Sequence, residues 1–211
     1  MRAYLRAVIL LWKSYRNTGL TGRLHVAIRF LTCPFLPVAS HLPAQAKTLL
    51  EIGGGHGIFS QLAASREIRA VAVDPDLRKV FSVGRGSSVS YVGGFDEVIR
   101  GSFDVVAILD VFYAISAGEW DPILGRVHQR LTPGGLLLLK EMNPASWKQR
   151  WNQFQETLSQ RFLGITMAAT FNYEPREAMA SRLLRAGFSR VEVVAVDRGY
   201  PHPHLLYLAW K

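Results

Sequence analysis

Short apolar runs, each ending near a glycine or an acidic residue, recur along the chain from residue 47 onward. They cover residues 47–52, 69–73, 102–110 and 136–139, with two more near the end at 191–196 and 204–210. Apolar residues at helical spacing lie between them, first at Phe59, Leu62 and Ala63 and later across 119–131 and 174–186. Strands that alternate with helices predict an α/β domain whose sheet is mostly parallel.

The residues before the first run have a helical pattern. On a helix, four basic side chains near the start of the chain fall within a stripe about 80° wide, and most of the larger apolar side chains lie on the opposite side. Residues 3–16 are therefore predicted to form a basic amphipathic helix. The basic set is Arg2, Arg6, Lys13 and Arg16, and the apolar set is Tyr4, Val8, Leu11, Trp12 and Tyr15. A second helix is expected over 21–31, and the Cys-Pro-Phe-Leu-Pro segment at 33–37 ends it, because a residue before proline avoids the helical conformation. We therefore expect a helical arm, residues 1–46, and a domain, residues 47–211.

The first helix has two interpretations. It can be a lid that packs its apolar face on the domain and leaves its basic face in solvent, the interpretation that we favour. It can instead lie on an anionic membrane surface, with Trp12 at headgroup depth and the cations facing phosphate. No run reaches the roughly 18 residues needed to span a bilayer, and no small-residue cleavage site follows the apolar run.

The net charge of +9 belongs to the arm. Residues 1–50 contain seven Lys or Arg and no acidic residue, whereas the remaining 18 basic residues are nearly balanced by 16 acidic ones. A general nucleic-acid-binding surface is therefore not expected. The single cysteine, Cys33, excludes an internal disulfide and a cysteine-based zinc site, so we expect a cytoplasmic protein without a metal.

The Glu-Ile-Gly-Gly-Gly-His-Gly sequence at 51–57 joins the first strand of the domain to a helix. Glycine suits a sharp bend that a ligand must approach without a Cβ in the way, and the helix that begins near His56 directs N–H groups into the same crevice. A dinucleotide fingerprint would need glycine at 58, where the chain has Ile58. The spacing therefore disfavours a nicotinamide or flavin dinucleotide.

An acidic residue also ends the next strand. Asp74 follows residues 69–73 and precedes Pro75, a position from which a carboxylate can accept hydrogen bonds from both hydroxyls of a ribose. The alternative is a turn-forming Asp before proline. With the glycine bend beside it, we prefer the ribose role.

These motifs resemble class I S-adenosylmethionine-dependent methyltransferases, whose first motif is acid-x-Gly-x-Gly-x-Gly and whose fifth strand follows a Leu-x-Pro-Gly-Gly turn, here residues 131–135. The resemblance covers about residues 47–211. It implies a doubly wound, mostly parallel seven-stranded sheet with an antiparallel C-terminal strand. It also implies S-adenosylmethionine as cofactor, S-adenosylhomocysteine as product, and cofactor contacts at Glu51, Gly53, Gly55, His56, Gly57, Asp74, Pro75, Gly94, Phe95, Asp110 and Val111. In the family the turn that contains Gly94 and Phe95 holds the adenine; Asp96 is an alternative contact there.

Methyl transfer requires an acceptor held close to the methyl carbon, and a base where the acceptor is an oxygen or nitrogen. Candidates at the carboxyl edge of the sheet are Tyr113, Glu141, His202 and His204, besides His56 and Asp110. An ion pair between the neighbouring Lys140 and Glu141 is the alternative for Glu141, and a solvated surface turn is the alternative for the two histidines.

The aromatic-rich segment 142–173 corresponds to the part of these enzymes that caps the acceptor, so we expect an apolar or aromatic small molecule, either free or acyl-linked. Its large side chains are Met142, Trp147, Trp151, Phe154, Phe162, Met167, Phe171 and Tyr173. The whole chain resembles bacterial methyltransferases of fatty-acyl and aryl-polyene pathways. An RNA methyltransferase that uses the basic arm is the nearest rival, and a non-catalytic cofactor-binding or membrane-peripheral module is another.

Overall fold

A mixed β-sheet with helices on both faces forms the body of the protein, as seen in a computed structural model that describes residues 2–76, 89–92, 101–143 and 172–211. Seven strands lie in the order β3-β2-β1-β4-β5-β7-β6. Their bounds are β1 Thr48–Ile52, β2 Arg69–Val73, β3 Val89–Val92, β4 Phe103–Leu109, β5 Leu131–Met142, β6 Arg190–Ala195 and β7 His204–Trp210. Only β7 runs against its neighbours, β5 and β6. The predicted α/β fold with a mixed sheet is confirmed.

Six α-helices are present in the described part of the chain. They are α1 Arg2–Ser14, α2 Leu20–Thr32, α3 Phe35–Ala39, α4 Ile58–Ala64, α5 Trp120–Arg130 and α6 Arg176–Arg185. The sequence did not predict α3, a single turn that follows Pro34 and contains Pro37. It also placed the start of α4 near His56, two residues too early, because Gly57 adopts a left-handed conformation and precedes the first helical residue.

The side chains of the sheet alternate between two buried clusters. Leu136 and Leu138 of β5 face the cluster shared with α1 to α4, whereas Leu137 and Leu139 face the cluster shared with α5 and α6. Since successive side chains of a strand point to opposite faces, Lys140 lies on the α1 to α4 side and Glu141 on the other. This separation divides the polar residues of the candidate site into two groups.

The arm packs on the domain and shares its core. Ala7 and Leu11 of α1, and Tyr15 directly after it, are buried in the same cluster as Phe59 of α4. The predicted apolar face of α1 was therefore wrong in part, since Tyr4, Val8 and Trp12 are exposed. The small Ala7 side chain is buried where α1 packs on the domain. Close packing there depends on the size of a side chain as well as on its hydrophobicity.

The Pro-Gly-Gly turn before the apolar run 136–139 has the conformation that its sequence predicted. Gly134 has φ of +73°, which favours glycine. The turn shifts the register between β4 and β5, because Phe103 pairs with Leu131 but Val105 pairs with Leu136. The apolar residues 136–139 then follow β4 in parallel to the edge where the strands end.

Candidate active site

The glycine bend between β1 and α4 requires left-handed backbone at three positions. Gly53, Gly55 and Gly57 have φ of +69°, +54° and +72°. A side chain at such positions is strained, so the alternation of glycine at 53, 55 and 57 follows directly from the path of the chain. The bend takes the backbone from the sheet edge into α4 within five residues.

Backbone hydrogen bonds fix the bend against the end of β2. The N–H groups of Gly53 and Gly54 both donate to the carbonyl oxygen of Val73, at 2.8 and 3.0 Å. Gly57 N–H donates back to Gly54 O at 2.7 Å. The bend is therefore rigidly positioned beside the carboxyl ends of β1 and β2.

Two of these glycines make room for protein atoms. A Cβ built on Gly53 would lie 2.4 Å from Cγ2 of Val111, and a Cβ on Gly54 would lie 3.2 Å from the Cβ of Ala72. The sequence reasoning attributed the missing Cβ to a ligand, and at these two positions that is wrong. The reason is tertiary, because the turn after β4 packs Val111 directly onto the bend.

Asp74, at the end of β2, is connected to the bend through its side chain. Its Oδ2 accepts from Gly55 N–H at 2.7 Å and its Oδ1 accepts from Asp76 N–H at 2.8 Å, while Pro75 beside it is exposed. A carboxylate has about four lone-pair sites, so two remain for further donors such as vicinal hydroxyls. The structure thus brings Asp74 and the glycine bend together, and a turn-forming role and a ribose-binding role are compatible.

Glu51 positions α4. Its Oε2 accepts from both the N–H and the hydroxyl of Ser60, inside the protein. Burial raises the pKa of Glu51 to about 7, against the opposing effect of the Ser60 hydrogen bonds. A direct cofactor contact by Glu51 stays a prediction.

The arm covers the bend. The hydroxyl of Tyr15, which directly follows α1, donates to the carbonyl oxygen of His56 at 2.5 Å, and the rings of His25 and His56 lie 4.9 Å apart. Ser14 also donates to the side chain of Gln61 in α4 at 3.2 Å. Both arm helices therefore contact the segment that the sequence identified as the cofactor loop.

A charged group lies at the carboxyl edge on the arm side. Asp110 directly follows β4 with φ of +58°, and its Oδ2 accepts from Lys140 Nζ at 2.5 Å and from Arg29 Nη2 at 3.1 Å. Burial alone would raise the pKa of Asp110, but Lys140 and Arg29 outweigh it and hold that pKa well below its usual range. The Lys140 side chain is only 1% exposed, so Asp110 is its essential counter-charge.

The predicted histidines lie beside this group. His204 Nδ1 is 3.8 Å from Asp110 Oδ1, and the His202 and His204 rings are 6.3 Å apart. Burial, helped by Lys140, lowers the pKa of His204 to about 3, and burial also lowers the pKa of His202. His204 is 3% exposed, so the alternative of a solvated histidine is wrong for this residue.

Glu141 lies on the opposite face of β5. Its Oε1 accepts from the N–H groups of Val111 and Phe112 at 3.1 and 2.8 Å, while Oε2 has no hydrogen-bond partner in the described part of the chain. Burial, with the nearby Asp110 carboxylate, raises the pKa of Glu141 to about 8. The alternative of a Lys140–Glu141 ion pair is wrong, because the two side chains alternate across the sheet.

Glu141 lines a depression in which half of the lining residues are aromatic. Tyr113, which the sequence placed near the reacting end of the cofactor, stacks on Tyr173 with ring centroids 6.2 Å apart. Phe112 and Trp120 stack at 5.4 Å. The lining residues are Phe112, Tyr113, Trp120, Glu141, Met142, Asn172, Tyr173, Glu174, Met179 and Tyr207.

Several predicted residues lie outside the described ranges. They are Gly94, Phe95 and Asp96 of the expected adenine turn, and Trp147, Trp151, Phe154, Phe162, Met167 and Phe171 of the expected acceptor cap. Within the described ranges, no group of three or more His, Cys, Asp or Glu side chains is arranged to hold a metal ion.

Sequence reasoning did not identify Arg29, Tyr15 or Ser60 as part of this region. A buried carboxylate such as that of Asp110 needs a cation nearby, and Lys140, which the sequence places near the carboxyl edge of the sheet, is one such cation. Arg29 lies 81 residues away on the arm, so only the packing of α2 brings it to Asp110.

Fold and site together define a class of protein. A glycine bend after β1, an acid after β2 and a seven-stranded sheet with a reversed β7 are the features of the class I methyltransferases that the sequence resembles. A family model described as a methyltransferase domain matches residues 27–193, and the chain belongs to that family. The prediction of an S-adenosylmethionine-dependent methyltransferase is confirmed.

One curated relative is an O-methyltransferase. Demethylspheroidene O-methyltransferase of Rhodobacter capsulatus is 28% identical over 151 residues, which are 69% of this chain and 37% of that protein. The chain thus spans little more than a third of the length of this relative. This similarity does not establish which acceptor the present protein methylates.

Solved structures share the fold. An S-adenosylmethionine-dependent methyltransferase from Archaeoglobus fulgidus has a TM-score of 0.66 at 14% identity, over 97% of this chain and 99% of its own. The 1,6-didemethyltoxoflavin-N1-methyltransferase of Burkholderia thailandensis, solved with 1,6-didemethyltoxoflavin and S-adenosylhomocysteine, has a TM-score of 0.65 at 19% identity, over 87% and 80% of the two chains. At these identities the likeness shows the fold alone.

The residues present fit S-adenosylmethionine. The Asp74 carboxylate retains acceptor sites beside the bend, which suits the two hydroxyls of a ribose. Gly55 and Gly57 have left-handed backbone and, as glycines, carry no Cβ. These residues would hold the nucleoside part of the cofactor at the carboxyl ends of β1 and β2.

Proposed function

We propose that this protein transfers a methyl group from S-adenosylmethionine to a hydroxyl group of a small apolar or aromatic molecule. When bound, S-adenosylmethionine supplies an electrophilic methyl group. The observation that carries the acceptor class is the depression that Glu141 lines, where half of the lining residues are aromatic and where the Glu141 side chain has one buried carboxylate oxygen without a hydrogen-bond partner among the described residues. Pockets that are lined mainly by apolar and aromatic side chains, with a small number of polar groups, are typical of sites for apolar ligands.

In this proposal Glu141 accepts the proton of the acceptor hydroxyl at Oε2. The N–H groups of Val111 and Phe112 fix the other carboxylate oxygen, so the side chain is already oriented. Its pKa of about 8 is close to that of an efficient general base near neutral pH. Tyr113, in the same depression, would stack on an aromatic acceptor next to Tyr173.

The histidine group is a second candidate for the base. His204 lies beside Asp110 on the arm side, with 3.8 Å between Nδ1 and Oδ1, but a pKa of about 3 makes His204 a weak proton acceptor. We therefore assign His202 and His204 to lining the arm side of the site and assign proton transfer to Glu141. The acceptor can also be an acyl-linked molecule, because an apolar chain suits the same walls.

The donor site is tested first by calorimetry with S-adenosylmethionine and S-adenosylhomocysteine, and failure of the intact protein to bind either would refute it. The acceptor class is tested with methyl-labelled cofactor and a panel of phenols, aryl alcohols and long-chain hydroxy acids, each paired with its amine analogue. Labelled methyl ethers from the apolar hydroxyl compounds support the proposal. Transfer to the amines alone, or to RNA, would contradict it while leaving the donor site intact.

The Glu141→Gln variant is the matched test of the base. We expect its methylation rate to fall by about 100-fold or more, the usual contribution of general-base catalysis. Its affinity for S-adenosylhomocysteine should remain that of the wild type. Equal rates for both proteins would show that Glu141 takes no proton.

A further inference from the structure

The surface of the arm carries most of the exposed apolar side chains of the described chain. Ten large apolar residues are exposed in the described part of the chain, and nine of them belong to α1 and α2, the tenth being Leu184 of α6. On α1 they are Tyr4, Leu5, Val8, Ile9 and Trp12, and on α2 they are Leu20, Leu24, Ile28 and Leu31. Trp12 is 70% exposed and Leu20 is 82% exposed, so these are not side chains at the rim of a packed core.

These residues form one stripe on each helix. Leu5, Val8, Ile9 and Trp12 are spaced by three or four residues, and so are the four leucine and isoleucine residues of α2. Each helix also buries a second face in the same cluster, through Leu11 on α1 and through Val26 on α2. Both exposed stripes therefore point away from the body of the protein.

The two helices are neighbours that run in opposite directions. The rings of Tyr4 and Phe30 lie 5.5 Å apart at one end, and the guanidinium of Arg23 lies 6.0 Å from the ring centre of Trp12 towards the other. The two stripes thus belong to one helical hairpin. We call this surface, residues 4–31, the arm surface.

The charge of the arm surface has one sign. Arg6, Lys13, Arg16 and Arg23 are exposed, and no acidic residue occurs before Glu51, which is buried. An apolar surface bordered by basic residues is complementary to an anionic bilayer, whose headgroups attract the cations while the acyl region accepts the apolar side chains. A second copy of this surface would bring like charges together without a counter-charge.

We propose that the arm surface docks on a lipid bilayer that contains anionic lipid, with Trp12, Leu24 and Ile28 inserted at the level of the headgroups. Among the described residues no helix is both long and apolar enough to cross a membrane, so the contact is peripheral. The docked hairpin contacts the cofactor loop through Tyr15, which directly follows α1, and through His25 of α2. Docking therefore brings the methyl-transfer site close to the bilayer, where apolar acceptors concentrate. The docking itself does not depend on the proposed acceptor.

The test is co-sedimentation of the intact protein with phosphatidylcholine vesicles that contain 0 or 30 mol% phosphatidylglycerol, amounts chosen on the order of those that give a strong surface potential. We expect binding to the anionic vesicles only, and release as salt screens the surface. The Trp12→Ser/Leu24→Ser variant should lose about tenfold or more in partitioning, because two inserted apolar side chains are removed. The Arg6→Gln/Lys13→Gln variant should likewise lose about tenfold or more in partitioning to the anionic vesicles, because two cations that face the headgroups are removed.

Matched controls lie elsewhere on the surface. Leu184→Ser removes an exposed leucine outside the arm, and Arg198→Gln removes an exposed cation outside the arm; neither should alter vesicle binding. Thermal unfolding of all variants reports whether the fold is retained. Absence of vesicle binding by the folded wild-type protein would overturn the proposal, as would a lipid-independent dimer that the arm variants convert to monomer. Equal losses in the arm and control variants would also overturn it.

Discussion

The guanidinium of Arg29 on α2 lies 3.1 Å from the carboxylate of Asp110, the residue that directly follows β4. This contact joins the arm to the carboxyl edge of the sheet, where Lys140 and His204 surround the same carboxylate. The arm is therefore part of the site as well as its cover. Displacement of α2 would leave Asp110 and Lys140 with an altered charge balance.

Removing the charge of Asp110 should destabilise the protein strongly. In Asp110→Asn the buried Lys140 ammonium loses its carboxylate, and breaking a buried pair in this way typically costs about 3–5 kcal/mol. Asparagine tolerates the positive φ at this position, so backbone strain adds little. Urea unfolding measures the change.

The matched control removes both charges. Asp110→Asn/Lys140→Met leaves no unpaired ammonium inside, and we expect it to recover most of the lost stability. If the double variant is less stable than Asp110→Asn alone, the charge of Lys140 is not the cause of the loss.

Gly53→Ala should damage the site more than a comparable glycine replacement elsewhere. Gly53 and Gly134 both have positive φ, but a Cβ at Gly53 meets Val111 at 2.4 Å whereas a Cβ at Gly134 meets nothing within 4 Å. Strain at φ above zero costs about 1–2 kcal/mol in both variants. Overpacking at Gly53 adds about 1–3 kcal/mol, which unfolding curves of the two variants resolve.

A suppressor separates the two effects. Val111→Ala, combined with Gly53→Ala, should regain the overpacking part of the loss and leave only the strain. No recovery in the double variant would mean that contact with Val111 is unimportant.

Asp74→Ala should weaken binding of S-adenosylhomocysteine by about 1–3 kcal/mol, roughly 5- to 150-fold, because charged hydrogen bonds to the ribose are lost. The measurement is calorimetry. Asp104→Ala is the matched control, because Asp104 also accepts from backbone N–H groups, those of Lys47 and Thr48, but near the amino end of β1 and β4. An affinity loss shared by both variants would point to general destabilisation and remove the ribose assignment.

Glu141 should give stability a pH dependence of defined sign. Its pKa rises from the ordinary 4.5 to about 8 in the folded protein, so folding retains a proton that the unfolded chain releases between these values. Its contribution to stability is complete below pH 4.5 and is lost as the pH rises towards 8. The difference between wild type and Glu141→Gln should follow this course in urea unfolding at several pH values. Glu51, whose pKa is about 7, is present in both proteins and cancels.

The sequence predicted the elements of the domain closely because their signals are local. The strand predicted at 69–73 is β2 Arg69–Val73, and the strand predicted at 204–210 is β7 His204–Trp210. Three glycines at alternate positions indicated the bend, since a left-handed backbone favours glycine whatever surrounds it. The assignment of residues to faces of α1 was less accurate, because burial depends on what the helix packs against.

The sequence by itself determined the order of strands and helices, the glycine bend, the acid that follows β2 and the concentration of basic residues in the arm. The tertiary structure decided that Val111 fills the space at Gly53, that Arg29 reaches Asp110, and that Lys140 and Glu141 lie on opposite sides of the sheet. The physical reason is the distance along the chain over which each interaction acts. Backbone conformation and hydrophobic periodicity are set by residues close in sequence. Charge partners and close contacts depend instead on how distant segments pack in three dimensions.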